Sequence, residues 1–134
     1  MADELTIDGM HQVALTTTDI SRSSRFYRET LGLKQIAVID PPGLAFFDVG
    51  GVRLSMMQDL TAEPSSSVIY FRVADIDAAV AVLKQRAVDL EQEPELVFRD
   101  SQGQFGEAGE EEWMAFFRDP DGNLLALTCR KKSD

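Results

Sequence analysis

Hydrophobic and polar positions along this chain form short alternating runs interrupted by two helical stretches, and the same order occurs twice. Residues 10–17 alternate and are rich in β-branched side chains, which predicts a strand. Asp19 is a good helix N-cap. The helix it opens is expected to run to about Leu31, with Phe26, Tyr27 and Leu31 on its apolar face and Gly32 as its stop. Residues 33–40 predict a second strand, and Pro41-Pro42-Gly43 turns the chain. Residues 44–49 and 52–58 predict a hairpin closed at Gly50-Gly51. Thr61-Ala62-Glu63-Pro64-Ser65-Ser66 is polar, contains a proline and reads as a linker over residues 61–66.

The second half repeats the order. Residues 67–73 predict a strand, and Asp75 caps a helix ending near Arg86. Ile76, Ala79, Val80, Leu83 and Ala87 fall at helical spacing and form one apolar stripe. Residues 95–99 predict another strand, and residues 101–111 a long, flexible, acidic loop. Strands over 113–118 and 123–128 form a second hairpin around Asp119-Pro120-Asp121-Gly122, where proline presets φ and glycine tolerates a positive one. The basic stretch Arg130-Lys131-Lys132 is expected to fray, as part of a tail over 130–134. Each half is therefore βαβββ, and each alone buries little apolar surface. The expected class is α+β: one domain over 1–134, built from a module over 9–60 and a module over 67–129.

Composition narrows the setting. The 134-residue chain is 44% hydrophobic, enough for an ordinary core. Its longest apolar runs fall well short of the roughly 20 residues of a membrane helix. The acidic start Met1-Ala2-Asp3-Glu4 lacks the pattern of a signal peptide. Cys129 is the single cysteine, so no disulfide forms within the chain, and a reducing, cytoplasmic setting is expected. A formal net charge of −10 argues against nucleic acid and against anionic membrane surfaces as partners.

Three stretches together resemble the vicinal oxygen chelate superfamily, which includes glyoxalase I, extradiol dioxygenases, methylmalonyl-CoA epimerase and the bleomycin and fosfomycin resistance proteins. The first is His11-Gln12-Val13-Ala14-Leu15, leading through Asp19-Ile20 to Phe26-Tyr27 and Leu31-Gly32-Leu33. The second is Phe71-Arg72-Val73-Ala74-Asp75-Ile76-Asp77, and the third is Phe117-Arg118-Asp119-Pro120-Asp121-Gly122-Asn123-Leu124. The resemblance covers about residues 9–129. It implies paired βαβββ modules forming a curved, mixed-sheet cup with the helices outside, a small-molecule site inside, and a homodimer.

Enzymes of that superfamily hold a divalent metal through one residue on the first and last strand of each module. Carried over, these positions are Gln12, Ser55, Val68 and Ala126. Gln can ligate, Ser is a poor neutral ligand, and Val and Ala have no lone pair to offer. The expectation is a protein with no metal and no cofactor. If a metal were bound, Gln12 and His11 would be its candidates. Strand alternation points His11 away from Gln12, toward the helix layer or a subunit boundary.

Alternation also sets the expected pocket lining. Gln12, Ala14 and Thr16 share a face, as do Arg53, Ser55 and Met57, then Val68, Tyr70 and Arg72, and finally Leu124, Ala126 and Thr128. The candidate ligand-binding residues are Gln12, Thr16, Ser55, Met57, Val68, Tyr70, Arg72, Trp113 and Ala126. Small residues at the former metal positions are expected to leave room. The acidic run Glu110-Glu111-Glu112 near the pocket mouth is expected to favour cations, and Trp113 to report occupancy. Three functions stay open: a metal-free protein that sequesters a cationic or aromatic small molecule, a divergent lyase or dioxygenase, and an interaction module with a vestigial pocket.

Overall fold

The computed structural model describes residues 5–133 and divides into two compact units, one up to Ala62 and one from Glu63 onward. The boundary falls inside the polar Thr61–Ser66 stretch. Each unit follows the βαβββ order, and the class is α+β.

In the first unit, β1 (Gln12–Thr17) leads to α1 (Ile20–Arg25), followed by β2 (Lys34–Ile39), β3 (Leu44–Val49) and β4 (Val52–Gln58). The sheet order is β1-β4-β3-β2, with β1 parallel to β4 and the other pairs antiparallel. Asp19 caps α1 by accepting from the Arg22 backbone N–H at 3.1 Å. The helix does not stop at Arg25. Phe26–Thr30 continue it as a π-helical stretch, in which the Leu31 N–H reaches the Phe26 carbonyl at 3.0 Å. The wider turn carries Tyr27 inward. Its ring is fully buried and lies 6.0 Å from that of Phe47. Leu15, Leu54 and Met56 complete the packing on that sheet face, so alternation leaves Gln12, Ala14, Arg53 and Met57 on the opposite one.

In the second unit, β5 (Ile69–Arg72) is followed by α2 (Ile76–Gln85), β6 (Leu90–Asp100), β7 (Glu110–Arg118) and β8 (Leu124–Lys132), in the sheet order β5-β8-β7-β6. Asp75 caps α2 through the Ala78 N–H at 3.1 Å. Ile76, Val80 and Leu83 are buried, as the stripe requires.

Several expectations about the second unit are corrected. Ala87 is not on the helical stripe; it follows the helix with φ 62° and is exposed. There its N–H bonds the Lys84 carbonyl at 3.1 Å, while the Val88 N–H bonds that of Leu83 at 3.0 Å, a Schellman ending built on alanine. β6 begins at Leu90 rather than residue 95, and carries three register shifts, one of them across Pro94, in an edge strand. β7 begins at Glu110, so the acidic run is strand rather than loop. β8 extends through Lys132, so Arg130, Lys131 and Lys132 are paired with Glu112, Glu111 and Glu110 instead of fraying. Opposite charges facing each other across two strands hold both in extended form. β5 is shorter than expected, and Val68 precedes it.

Candidate ligand-binding site

In the first unit, residue-to-residue parallel pairing sets Gln12, Ala14 and Thr16 beside Arg53, Ser55 and Met57. Phe46 and Asp48 of β3 flank Ser55 and Arg53 on the other side. Arg53 organises this face. Its Nε donates to Gln12 Oε1 at 2.7 Å, its Nη2 lies 3.3 Å from His11 Nε2, and its guanidinium sits 5.6 Å from the Phe46 ring centroid. A guanidinium only donates, so the His11 Nε2 accepts and the ring hydrogen is on Nδ1. The expected outward placement of His11 is thus corrected. His11 lies before the first residue of β1, where strand alternation does not apply, and it shares Arg53 with Gln12. Ser55 is buried between Ala14 and Phe46, Thr16 is half-buried, and Met57 is exposed.

In the second unit, Tyr70 and Arg72 on β5 face Ala126 and Thr128 on β8. On the far side of β8, Phe116, Met114 and Glu112 face Ala126, Thr128 and Arg130. The Tyr70 and Phe116 rings meet edge to face at 6.1 Å, with Ala126 between them in register and without exposed surface. The room expected at Ala126 is therefore closed by two aromatic rings. Toward the other end of the same face is a recess of about 480 Å³ bounded by Tyr70, Arg72, Glu112, Thr128 and Arg130.

Arg130 is the pivot of that end. Its Nη2 donates to Asp100 Oδ2 at 2.8 Å and its Nε to Glu110 Oε1 at 3.0 Å. Its Nη1, inaccessible and without a hydrogen-bond partner, lies 4.0 Å from Glu112 Oε2. Asp100, only 3% exposed, also accepts from the Gln104 and Phe105 backbone N–H groups at 2.8 and 2.9 Å, which ties down the start of the loop over 101–109. Burial pushes the Asp100 carboxyl up, but the two N–H groups and Arg130 outweigh it and hold the carboxyl below its usual range. The same hydrogen bonds from Asp100 and Glu110 raise Arg130.

The two remaining charges of the recess are less committed. Arg72 is exposed, and its side chain has no ion pair or hydrogen bond among the described residues. Glu112 receives a hydrogen bond of 3.4 Å from the Thr128 hydroxyl. The rest of the acidic run is already engaged. Glu110 is held by Arg130, and Glu111 accepts from Arg99 at 2.6 Å and from the Trp113 indole at 3.3 Å, which lowers its carboxyl. The run is thus not the free cation-attracting patch expected from its composition.

Trp113 belongs to the opposite face, and its place among the ligand-binding candidates is corrected. It pairs with Cys129, and the Lys131 ammonium lies 4.5 Å from its ring centroid. Lys131 in turn reaches Asp77 of α2 at 3.3 Å, which identifies this as the helix-covered side. Glu112 and Arg130, which do border the recess, were missed as candidates. Extending the alternation Leu124, Ala126, Thr128 by one step reaches Arg130.

The residues at the metal positions do not fit a divalent ion. The first unit supplies Gln12, whose amide oxygen is held by a guanidinium cation, and a buried Ser55 hydroxyl. The second supplies Val68 and Ala126, neither with a donor atom. Among the described residues no three His, Cys, Asp or Glu side chains are grouped so as to hold a metal. No helix among them is long and apolar enough to cross a membrane.

Comparison with known proteins agrees with the fold. The protein named Uncharacterized protein YraH from Bacillus subtilis (strain 168) is 26% identical, the match covering 87% of this chain and 94% of that protein. Virulence protein STM3117 from Salmonella typhimurium is 25% identical over 93% of this chain and 86% of its own. The crystal structure of STM3117 superposes with a TM-score of 0.72, over 93% of this chain and 98% of that one. A Nocardioides structure described as a glyoxalase/bleomycin resistance protein/dioxygenase gives a TM-score of 0.74 at 19% identity, over 98% of this chain and 89% of that one. Residues 9–127 match the family profile, and the chain belongs to the Glyoxalase/Bleomycin resistance protein/Dioxygenase superfamily.

Proposed function

We propose that the chain is a small-molecule-binding protein that sequesters an aromatic compound in the recess of its second unit, without a catalytic metal. The observation that carries this reading is the recess itself. Its volume of about 480 Å³ is of the size that small ligands occupy. It brings an exposed aromatic ring, Tyr70, together with Arg72 and Glu112, two charged side chains with weak or no protein partners. Tyr is well suited to such contacts, offering a flat apolar face and a polar tip. The donor-poor set Gln12, Ser55, Val68 and Ala126 supports binding without metal-assisted turnover.

The test is a thermal-shift screen of small aromatic compounds, followed by calorimetry of each hit on the wild type and on Tyr70→Ala. The expected result is binding that weakens about tenfold or more in Tyr70→Ala, with the compound recovered chemically unchanged. Hits insensitive to Tyr70→Ala would place the site elsewhere. Conversion of the compound would make the protein an enzyme, and a stoichiometric metal in elemental analysis would remove the metal-free part of the reading.

A further inference from the structure

We infer that the ligand of this recess is a zwitterion, an amino acid or similarly small compound bearing one ammonium and one carboxylate beside an aromatic or apolar group. The inference rests on the recess being the ligand site and adds the charge pattern it selects.

Three charged groups line the recess, Arg72, Glu112 and Arg130, and pairing sorts them. Arg130 is saturated on Nε and Nη2 by Glu110 and Asp100, and its remaining Nη1 is inaccessible. It is a structural cation, not a ligand contact. Arg72 and Glu112 remain. Arg72 is exposed, and its side chain has no partner among the described residues. Glu112 has the Thr128 hydroxyl at 3.4 Å and lies 4.0 Å from the nearest Arg130 nitrogen, beyond hydrogen-bond reach. The least committed charges are therefore one positive, Arg72, and one negative, Glu112, which is held by that hydroxyl and by a stretched ion pair of 4.0 Å with Arg130.

The sheet fixes their separation. Arg72 is opposite Thr128, and Glu112 is opposite Arg130, two residues further along the same central strand. Two strand spacings and a two-residue offset put their α-carbons about 12 Å apart. Both side chains point to the same face, and the structure leaves them unpaired with each other. The gap between an arginine and a glutamate reaching inward from those positions is on the scale of a small dipolar molecule. Tyr70, two residues before Arg72 on that face, supplies the apolar contact.

A matched charge pattern decides between ligand classes. A simple cation would pair with Glu112 but leave Arg72 nearby and unpaired. A simple anion would pair with Arg72 but approach Glu112 with Asp100 and Glu110 behind it. A zwitterion satisfies both groups, and each charge-assisted hydrogen bond in a partly desolvated recess is stronger than its neutral counterpart. Discrimination then comes as much from the repelled groups as from the attracted ones.

The experiment compares three probes of one skeleton by calorimetry at neutral pH: L-phenylalanine, 2-phenylethylamine and 3-phenylpropionate. L-phenylalanine is expected to bind about tenfold or more tighter than either of the others. Arg72→Gln should erase its advantage over the amine, and Glu112→Gln its advantage over the acid. Circular dichroism checks that both variants fold, and the probe series on the wild type stands independently of them. Equal or tighter binding of the amine or the acid overturns the inference, as does no detectable binding of any of the three. Screen hits that depend on Tyr70 but on neither Arg72 nor Glu112 also overturn it, while leaving the recess as the site. Hits that ignore Tyr70 instead remove the site reading itself.

Discussion

The two units share an element order and differ in what they put on the sheet face away from the helix. In the first, one half-buried arginine links a glutamine, a histidine and a phenylalanine through contacts open to solvent. In the second, one half-buried arginine holds two carboxylates, one of them almost fully buried, and borders a recess. Length makes the difference. β3 and β4 end after six and seven residues, whereas β7 and β8 each run for nine. The extra residues are the acidic run and the basic run facing one another. Strand extension in one repeat thus converts a plain sheet face into one with built-in charge.

The strongest way to break this comparison is to remove each arginine in turn. Arg130→Met leaves Asp100, at 3% exposure, without its cationic partner. Removing one member of such a pair strands the other charge, and a fall in melting temperature of about 10 °C is expected. Arg53→Met removes contacts that water replaces, and a change of no more than about 2 °C is expected. Equal losses from the two variants would show that the second network carries no special weight.

A smaller effect separates the two hairpin turns. In the second, Asp119 Oδ1 accepts from the Asp121 and Asn123 backbone N–H groups at 3.0 and 2.9 Å, and its Oδ2 accepts from the Asn123 amide at 2.9 Å. Asn123 in turn accepts from the Ser65 N–H at 2.6 Å, tying the turn to the start of its unit. Asn123 is only 2% exposed, so Asn123→Ala should cost about 2 kcal/mol in urea denaturation, through unmade buried hydrogen bonds. The first turn relies on one exposed contact, from the Gly51 N–H to Asp48 at 3.2 Å, and Asp48→Ala should be close to neutral.

Most of the frame was legible in the sequence, because caps, helical stripes and turn residues are local signals. Asp19, Asp75, Gly50-Gly51 and Pro120-Gly122 each announce an element boundary within a few residues. What escaped was set by pairing. Nothing local in Glu110-Glu111-Glu112 or Arg130-Lys131-Lys132 favours a strand; each becomes one because the other lies beside it. β6 was shortened for the same reason, since Pro94 and its charged neighbours read as loop until the edge position excuses the missing donor. Trp113 lies on the helix-covered face because it pairs with Cys129, a register that proximity to the acidic loop does not reveal.

Acid sharpens the contrast between the units without mutation. Asp100, Glu91 and Glu111 of the second unit all have lowered carboxyl values, Glu91 and Glu111 chiefly through Arg118 and Arg99. A group depressed on folding contributes stability above its unfolded value and loses it as pH falls through the folded one. The unfolded values are 3.8 for Asp and 4.5 for Glu, so the loss begins near pH 4.5 and continues below. In the first unit Asp59 alone among the described residues shows such a lowering, through the Thr61 N–H and hydroxyl. Melting temperatures measured from neutral pH to below pH 4 should fall, and Asp100→Asn should flatten the acid end of that curve. An unchanged slope in Asp100→Asn would assign the acid sensitivity to other groups.

The smallest and cleanest test exchanges the residues that end the two helices. Both helices are followed by a residue in left-handed conformation, Gly32 with φ 71° in the first unit and Ala87 with φ 62° in the second. Glycine adopts that conformation freely, whereas an L-residue with a Cβ is disfavoured there by about 1–2 kcal/mol. The unfolded chain opposes part of this, because glycine has about 0.4–1 kcal/mol more conformational entropy to lose. The net is a difference of about 1 kcal/mol, with opposite sign at the two sites. Ala87→Gly should stabilise the protein and Gly32→Ala should destabilise it. Packing does not confuse the second change, since a Cβ built on Gly32 meets nothing within 4 Å. The double variant should therefore return close to the wild-type value, as the sites are in separate units. Urea midpoints at constant slope measure all three. Destabilisation by Ala87→Gly would mean that the alanine methyl, exposed as it is, contributes more than the strain it imposes, and that the second unit ends its helix by packing where the first does so by backbone freedom.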